Sequence, residues 1–409
     1  MNIVILGAGG AGLSAAKTIV EKAPGARLTI LHRECCPSYS PVVLPYYIEG
    51  TLGRDEMWLC TDRHLPPEVE LLQGREAVAV DPARRRVVLD DGAELAYEKL
   101  LICVGGVPTK PDLPVLEGKN FLMLRTLKDA DRILSGPFER VAIFGAGPVA
   151  VELAVALRRK GADVALISRS RIMRRLFDPD FSDTIRDIMV SEGVTVLMGQ
   201  QIKEVRGTRS KGMVVVTDED ETACDMLVVA TGVKPNLDFL RGSGIAIGES
   251  GGIIVDQNLR TTVDHIYAAG DCAETTDLVT GERGINAIWP EAVLQGRIAA
   301  LNIIGTEAAY PGGISRNVIN VFGTPVWSVG SLIGNKKTLV NPLARTRYTF
   351  RDGKVVGVQI IGEPPVGGVL GAILKGSSRP DWLRAHTFPS CGASVRRESA
   401  AGIAAGGRR

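Results

Sequence analysis

No stretch of this 409-residue chain stays apolar for the roughly 18 consecutive residues that a membrane-spanning helix requires, so no such helix is expected. Net charge is nearly absent: 48 Lys and Arg against 46 Asp and Glu leave +2, which indicates neither nucleic acid nor an acidic surface as partner. No basic segment with a cleavage site precedes the first apolar run, so no secretory leader is read and a cytoplasmic location is expected. The seven cysteines (35, 36, 60, 103, 224, 272 and 391) show neither C-x-x-C nor zinc-type spacing, so neither a disulfide framework nor a metal centre is expected. The length allows two or three domains with sizeable cores.

What is present begins at the first residue. Asn2-Ile3-Val4-Ile5-Leu6 is a short apolar, β-branched run that reads as a buried parallel strand. Gly7, Gly9 and Gly12 follow at G-x-G-x-x-G spacing, ahead of a helix-forming segment, Leu13 to Val20. Gly7 permits a tight turn, Gly9 lets the backbone approach a pyrophosphate, and Gly12 lets helix and strand pack closely. The helix N-terminus would face the phosphates with unpaired N–H groups and the positive end of its dipole.

The second strand, Arg27 to Leu31, is followed by His32 where an acidic residue would bind a ribose. Glu34, two places on, is either that partner on a shifted loop or a solvated carboxylate. Ser38 to Gly50 carries two prolines among apolar and aromatic residues and does not read as an ordinary amphipathic helix; taken alone it is a packed loop. Short β-like runs between Val69 and Val104 are separated by turns at Asp81-Pro82 and Asp90-Asp91-Gly92, with Arg84 to Arg86 on a solvated hairpin edge. Leu100 to Val104 is an apolar strand running into Gly105 and Gly106, with Cys103 in its core.

The pattern then restarts. Arg140 to Phe144 is a strand, and Gly145, Gly147 and Ala150 give G-x-G-x-x-A before a helix from Val151 to Arg159. A second copy of strand, glycine turn and helix predicts a second dinucleotide. The next strand, Asp163 to Ile167, ends in Ser168-Arg169-Ser170-Arg171, with Arg174 and Arg175 beyond. A hydroxyl and several guanidiniums, with no carboxylate, suit a 2′-phosphate, so NADPH is preferred to NADH; the alternative is a solvated arginine loop. Asp225 to Gly232 repeats the strand-into-glycine feature. Ile266 to Asp271 follows, its aspartate placed either to bond ribityl hydroxyls or to cap a helix. Trp289-Pro290-Glu291 opens a helix to Ile304 with Pro290 in its first turn.

Five stretches together resemble the FAD-dependent pyridine nucleotide–disulfide oxidoreductases: GAGGAG at 7–12, LRTLKDADRI at 124–133, GAGPVAVE at 145–152, ATGVKPN at 230–236 and IYAAGDCAE at 266–274. The resemblance covers residues 1–310. It implies an α/β fold of two Rossmann-like dinucleotide-binding domains plus a short α+β C-terminal domain. The FAD domain (1–110 and 237–310) would be split by the NAD(P) domain (111–236). A shortened interface domain (311–379) and a partly disordered tail (380–409) would complete the chain. FAD would lie on Gly7, Gly9 and Gly12, with Glu34, Gly105, Asp271, Trp289 and Pro290 around it. NADPH or NADH would lie on Gly145, Gly147 and Ala150, with Ser168, Arg169 and Gly232. Glu152 matches a family glutamate near nicotinamide and flavin, the alternative being an exposed helix carboxylate.

Ser38 to Gly50 resembles the coenzyme A-disulfide reductase and NADH oxidase branch, whose redox cysteine precedes Gly-Leu-Pro-Tyr. Val42 stands in the cysteine's place, ahead of Val43-Leu44-Pro45-Tyr46. Pro45 and Tyr46 are expected at the reacting centre, but valine forms no thiolate or mixed disulfide. Adjacent Cys35 and Cys36 seldom form a strain-free disulfide, and Cys391 reads as an incidental tail thiol. The expected activity is therefore hydride exchange between NAD(P)H and FAD without a protein dithiol. Electrons would then pass to a one-electron acceptor, an iron–sulfur protein of ferredoxin or rubredoxin type or a partner subunit such as that of a 2-oxoacid dehydrogenase. Two alternatives are an NAD(P)H oxidase or quinone reductase, and a nucleotide-sensing protein resembling apoptosis-inducing factor. The assembly is expected to be a homodimer or a hetero-oligomer.

Overall fold

The computed structural model describes residues 1–60, 69–207, 212–340 and 342–363. Its first sheet is parallel, in the spatial order Ile266–Ala268, Lys99–Ile102, Asn2–Leu6, Arg27–His32 and Val69–Gln73. The strand at 266–268 pairs with 99–102 after more than 150 intervening residues, so two distant stretches of chain make one sheet. The second parallel sheet runs Thr195–Met198, Asp163–Ser168, Arg140–Phe144 and Met226–Val229. Near-continuous apolar runs form both, as strands covered on two faces require; Ile3, Ile5, Leu28, Ile30, Leu100, Ala142, Ile143 and Leu166 are wholly buried.

Helices α1 (Gly10–Lys22), α2 (Leu44–Glu49), α3 (Leu127–Ser135), α4 (Pro148–Arg159), α5 (Pro179–Ser191) and α6 (Trp289–Ile303) pack around these sheets. Both motif helices start about three residues earlier than the periodicity indicated. The glycine turn itself supplies the first helical turn, with Gly10 and Pro148 already helical. The segment expected as a loop after Ser40 contains α2. Pro45 sits in its first turn, where a missing N–H costs nothing, and Gly50 ends it at φ 89°.

The two motif units repeat each other atom for atom at the turn. Gly7 N–H donates to Leu31 O at 2.9 Å, and Gly145 N–H to Ile167 O at 2.9 Å. Both first glycines have positive φ, 110° and 137°. A Cβ would collide with Cys103 O in one and with Ala230 O in the other. In each unit, therefore, a third strand crosses close behind the turn and fixes glycine there.

A five-stranded antiparallel sheet follows, ordered Arg316–Val321, Thr324–Gly330, Lys354–Gly362, Ala344–Arg351 and Asn335–Val340. Asp352 and Gly353 form the tight turn expected from their sequence, at φ 50° and 74°. One face of this sheet packs on the second unit: Ile319, Val321, Val326 and Ile361 share a core with Phe177 and Phe181. Residues 364–409, including the expected tail and Cys391, lie outside the described residues, as does the side chain of Cys60. Among the described residues no helix is long and apolar enough to cross a membrane, and no group of three or more His, Cys, Asp or Glu is placed to hold a metal ion.

Candidate functional site

One cavity of about 1890 Å3 runs between the two units and is closed on a third side by the C-terminal sheet. Three helices aim their N-termini into it: α1, α4 and α6. None of the three has a side-chain cap, whereas α3 is closed by a reciprocal pair, Thr126 with Asp129. The first N–H groups of a helix need acceptors, so three uncapped ends facing one cavity leave donors and positive dipole ends for an anionic ligand.

Gly9 and Gly147 give the sharper test. Both are in ordinary extended backbone, φ −81° and −79°. A Cβ on either would meet no protein atom within 4 Å. Neither position needs glycine for the fold, and both open into the cavity. The missing side chain makes room for a ligand brought close to backbone, as a pyrophosphate requires. By contrast Gly12, behind the wall, is required by the protein: a Cβ there would strike Gly7 O. The residues present thus fit one dinucleotide in each unit.

Around the first cradle, Asp271 lines the cavity beside Arg125, whose guanidinium lies 3.7 Å away. Burial raises the Asp271 carboxyl above its ordinary value, and Arg125 opposes that rise. Gly105 (φ 63°) and Pro45 line the same region, and the Trp289 indole covers Gly10 so tightly that a Cβ there would sit 3.1 Å from the ring. Gly270 N–H donates to Gln295 Oε1 of α6 at 2.8 Å, locking the turn before Asp271 to that helix. Glu34 reaches the wall and accepts a 2.8 Å bond from Tyr39, whose hydroxyl in turn accepts from Leu127 N–H at 2.6 Å.

Around the second cradle, Glu152 lines the cavity and makes no hydrogen bond or ion pair among the described residues; burial alone pushes its carboxyl up to about 7. Ser168, Arg169, Arg174, Arg175 and Gly232 also line the wall. The last is at φ 124°. Ser168 is nearly buried and accepts from Ser170 N–H, while Arg169, Arg174 and Arg175 are exposed with no carboxylate partner among the described residues.

Three of the expected site residues are not on the wall. Gly12 and Ala150 stand behind the glycine turns, and Tyr46 turns outward with 41% of its surface exposed. Residues missed in the sequence include Arg125, inside the LRTLKDADRI stretch but without a partner visible there, and the wall contributed by Arg316, Asn317 and Trp327. Those three come from a sheet that meets the cavity only through tertiary packing, so no local pattern marks them.

Little sulfur meets the cavity among the described residues. Val42, in the place of the branch's cysteine, lines the cavity and is 55% exposed. Cys103 is the one described cysteine on the wall, and burial pushes its thiol well above the ordinary range. Cys35 and Cys36 are off the wall, and burial pushes Cys36 up to about 11. No cysteine described at the cavity is a ready thiolate.

Two dinucleotide cradles opening on one cavity define a flavoprotein oxidoreductase of the two-nucleotide class. The chain belongs to the pyridine nucleotide-disulphide oxidoreductase family, whose sequence profile matches residues 1–296. It is similar to an NADH oxidase of Methanocaldococcus jannaschii, 29% identical over 397 residues and 88% of each chain. It is equally similar to the NADH-dependent phenylglyoxylate dehydrogenase subunit epsilon of Aromatoleum evansii, 29% identical over 374 residues, 90% of this chain and 87% of that one. A solved structure, a NAD-dependent persulfide reductase from A. fulgidus, superposes with a TM-score of 0.84 at 28% identity, covering 92% of this chain and 77% of that one. The chain is thus an NAD(P)H-dependent flavoprotein oxidoreductase.

Proposed function

We propose that this protein moves electrons between NADPH and a one-electron protein acceptor, an iron–sulfur protein or subunit, and does not reduce disulfides. The observation that carries this is Val42 on the cavity wall, with no ready thiolate among the described cysteines there. Bound FAD supplies the chemistry, exchanging two electrons with a nicotinamide and single electrons with a metal centre. The backbone at Gly9 and the N-terminus of α1 hold its pyrophosphate, and Asp271, set by Arg125, meets its ribityl region. The uncapped N-terminus of α6 places a positive dipole end at the flavin and favours negative charge there.

Gly147 and the N-terminus of α4 hold the nicotinamide dinucleotide. Arg169, Arg174 and Arg175, without acidic partners, receive a 2′-phosphate, and the Ser168 hydroxyl stands where NADH-binding proteins place a carboxylate. Glu152, half-buried and poised near neutrality, holds or releases a proton beside the nicotinamide. Glu34, already bonded to Tyr39, offers its second oxygen to the adenosine ribose. A relative that is one subunit of a dehydrogenase supports a partner that carries the electrons onward.

The test compares acceptors under one NADPH concentration: a ferredoxin or rubredoxin, coenzyme A disulfide, and dioxygen. Faster turnover with the iron–sulfur protein supports the reading, and faster reduction of the disulfide overturns it. A second reading, electrons passing to dioxygen, is supported by the similarity to an NADH oxidase. Peroxide or water formation as fast as any protein reduction would select it.

A further inference from the structure

The segment that carries Arg174 and Arg175 is held by its own unit and also from outside it. It joins the strand Asp163–Ser168 to α5, and on its inner side Met173 N–H donates to Ala146 O at 2.7 Å. Within the segment the Arg171 guanidinium donates to Arg174 O and Phe177 O, both at 3.3 Å, and beyond these local bonds its ties lead to the C-terminal sheet. Leu176 O accepts from the Ser328 hydroxyl at 2.6 Å. Asp178 N–H donates to Gln359 Oε1 at 2.7 Å, and Gln359 Nε2 returns a bond to Asp178 Oδ2 at 2.9 Å. Lys336 Nζ reaches Asp178 Oδ1 at 2.6 Å, and Arg347 reaches Oδ2 at 3.0 Å. Arg347 also bonds Asp180, and Arg345 and Arg347 lie over the Phe181 ring at 4.5 and 4.8 Å.

Asp178 and Gln359 are almost fully buried. Burial alone would raise the Asp178 carboxyl, yet bonds from Lys336, Gln359 and Arg347 hold it below its ordinary value. A buried carboxylate satisfied this completely is a fixed point, and removing a partner leaves an unpaired charge. The arginines lie three and four residues before that fixed point.

We propose that Asp178 is a positioning residue for nucleotide choice: clamped by Lys336, Arg347 and Gln359, it fixes the segment that presents Arg174 and Arg175 to the 2′-phosphate. The C-terminal sheet thereby takes part in discriminating NADPH from NADH. This rests on the assignment of those arginines to the 2′-phosphate. NADH lacks that group, so slackening the segment weakens NADPH selectively.

The test uses FAD-loaded protein, ferricyanide as acceptor, and the ratio of KM for NADPH to KM for NADH. Three variants are compared with the parent: Arg175→Gln, Asp178→Asn and Ser328→Ala. Arg175→Gln is expected to raise the ratio about tenfold, the loss of one charge-assisted contact. Asp178→Asn raises it several-fold, and Ser328→Ala, which removes one bond and supplies the result if Asp178→Asn does not fold, raises it less. If Arg175→Gln raises the ratio while Asp178→Asn and Ser328→Ala shift both KM values equally or not at all, the positioning role is overturned and the 2′-phosphate site stands. If Arg175→Gln leaves the ratio unchanged, the 2′-phosphate assignment fails and the positioning role falls with it.

Discussion

At the scale of single residues, the paired glycines separate what the fold needs from what a ligand needs. Gly9→Ala and Gly147→Ala meet open space at ordinary φ. Each is expected to leave the apoprotein's thermal unfolding within about 0.5 kcal/mol of the parent. Gly9→Ala should lower FAD content and Gly147→Ala should raise KM for NADPH, read by flavin absorbance and steady-state kinetics. Glu152 gives a second prediction, through pH. Its carboxyl is raised from 4.5 to about 7 by burial, so the folded chain binds a proton there that the unfolded chain releases. The stabilisation is fully present below about pH 4.5 and is lost as pH rises through 7. Glu152→Gln, neutral at every pH, should remove that component from the dependence of Tm on pH between 4.5 and 7.

At the scale of elements, α1 and α6 cross so closely that Gly296 has no room for a Cβ, which would strike the backbone carbonyl of Ala11. Backbone cannot step aside as a flexible side chain can. Gly296→Ala is therefore expected to destabilise by about 3 kcal/mol and to release FAD, measured by denaturant unfolding and flavin fluorescence. The strand–turn–helix units were legible because their signals are local: an apolar run, glycines at fixed spacing, a helix former. The α2 segment was obscured by its prolines, although Pro45 falls where a first-turn proline is tolerated. Arg125 sat inside a recognisable stretch, but its meaning depends on Asp271, 146 residues further on, and only the folded chain brings them to 3.7 Å. The Asp178 clamp was invisible for the same reason, since its partners are more than 150 residues away.

At the scale of the molecule, the two nucleotide units and the C-terminal sheet close around one cavity, and the proposed path of the electrons turns on the sulfur described at its wall. A protein that reduces disulfides through its own sulfur needs a thiolate beside the flavin. Here Val42 occupies that place and the described cysteines are buried or face elsewhere. On the proposed reading, electrons arriving from NADPH have no described protein sulfur to pass through and leave from the flavin directly.

The most direct measurement is an anaerobic titration of the FAD-loaded protein with NADPH, following the flavin absorbance and the count of reactive thiols. Uptake of two electrons per FAD, with the thiol count unchanged, is the predicted result. Uptake of four electrons, with thiols appearing as the flavin is reduced, would contradict the account, because a protein sulfur pair would then lie in the path.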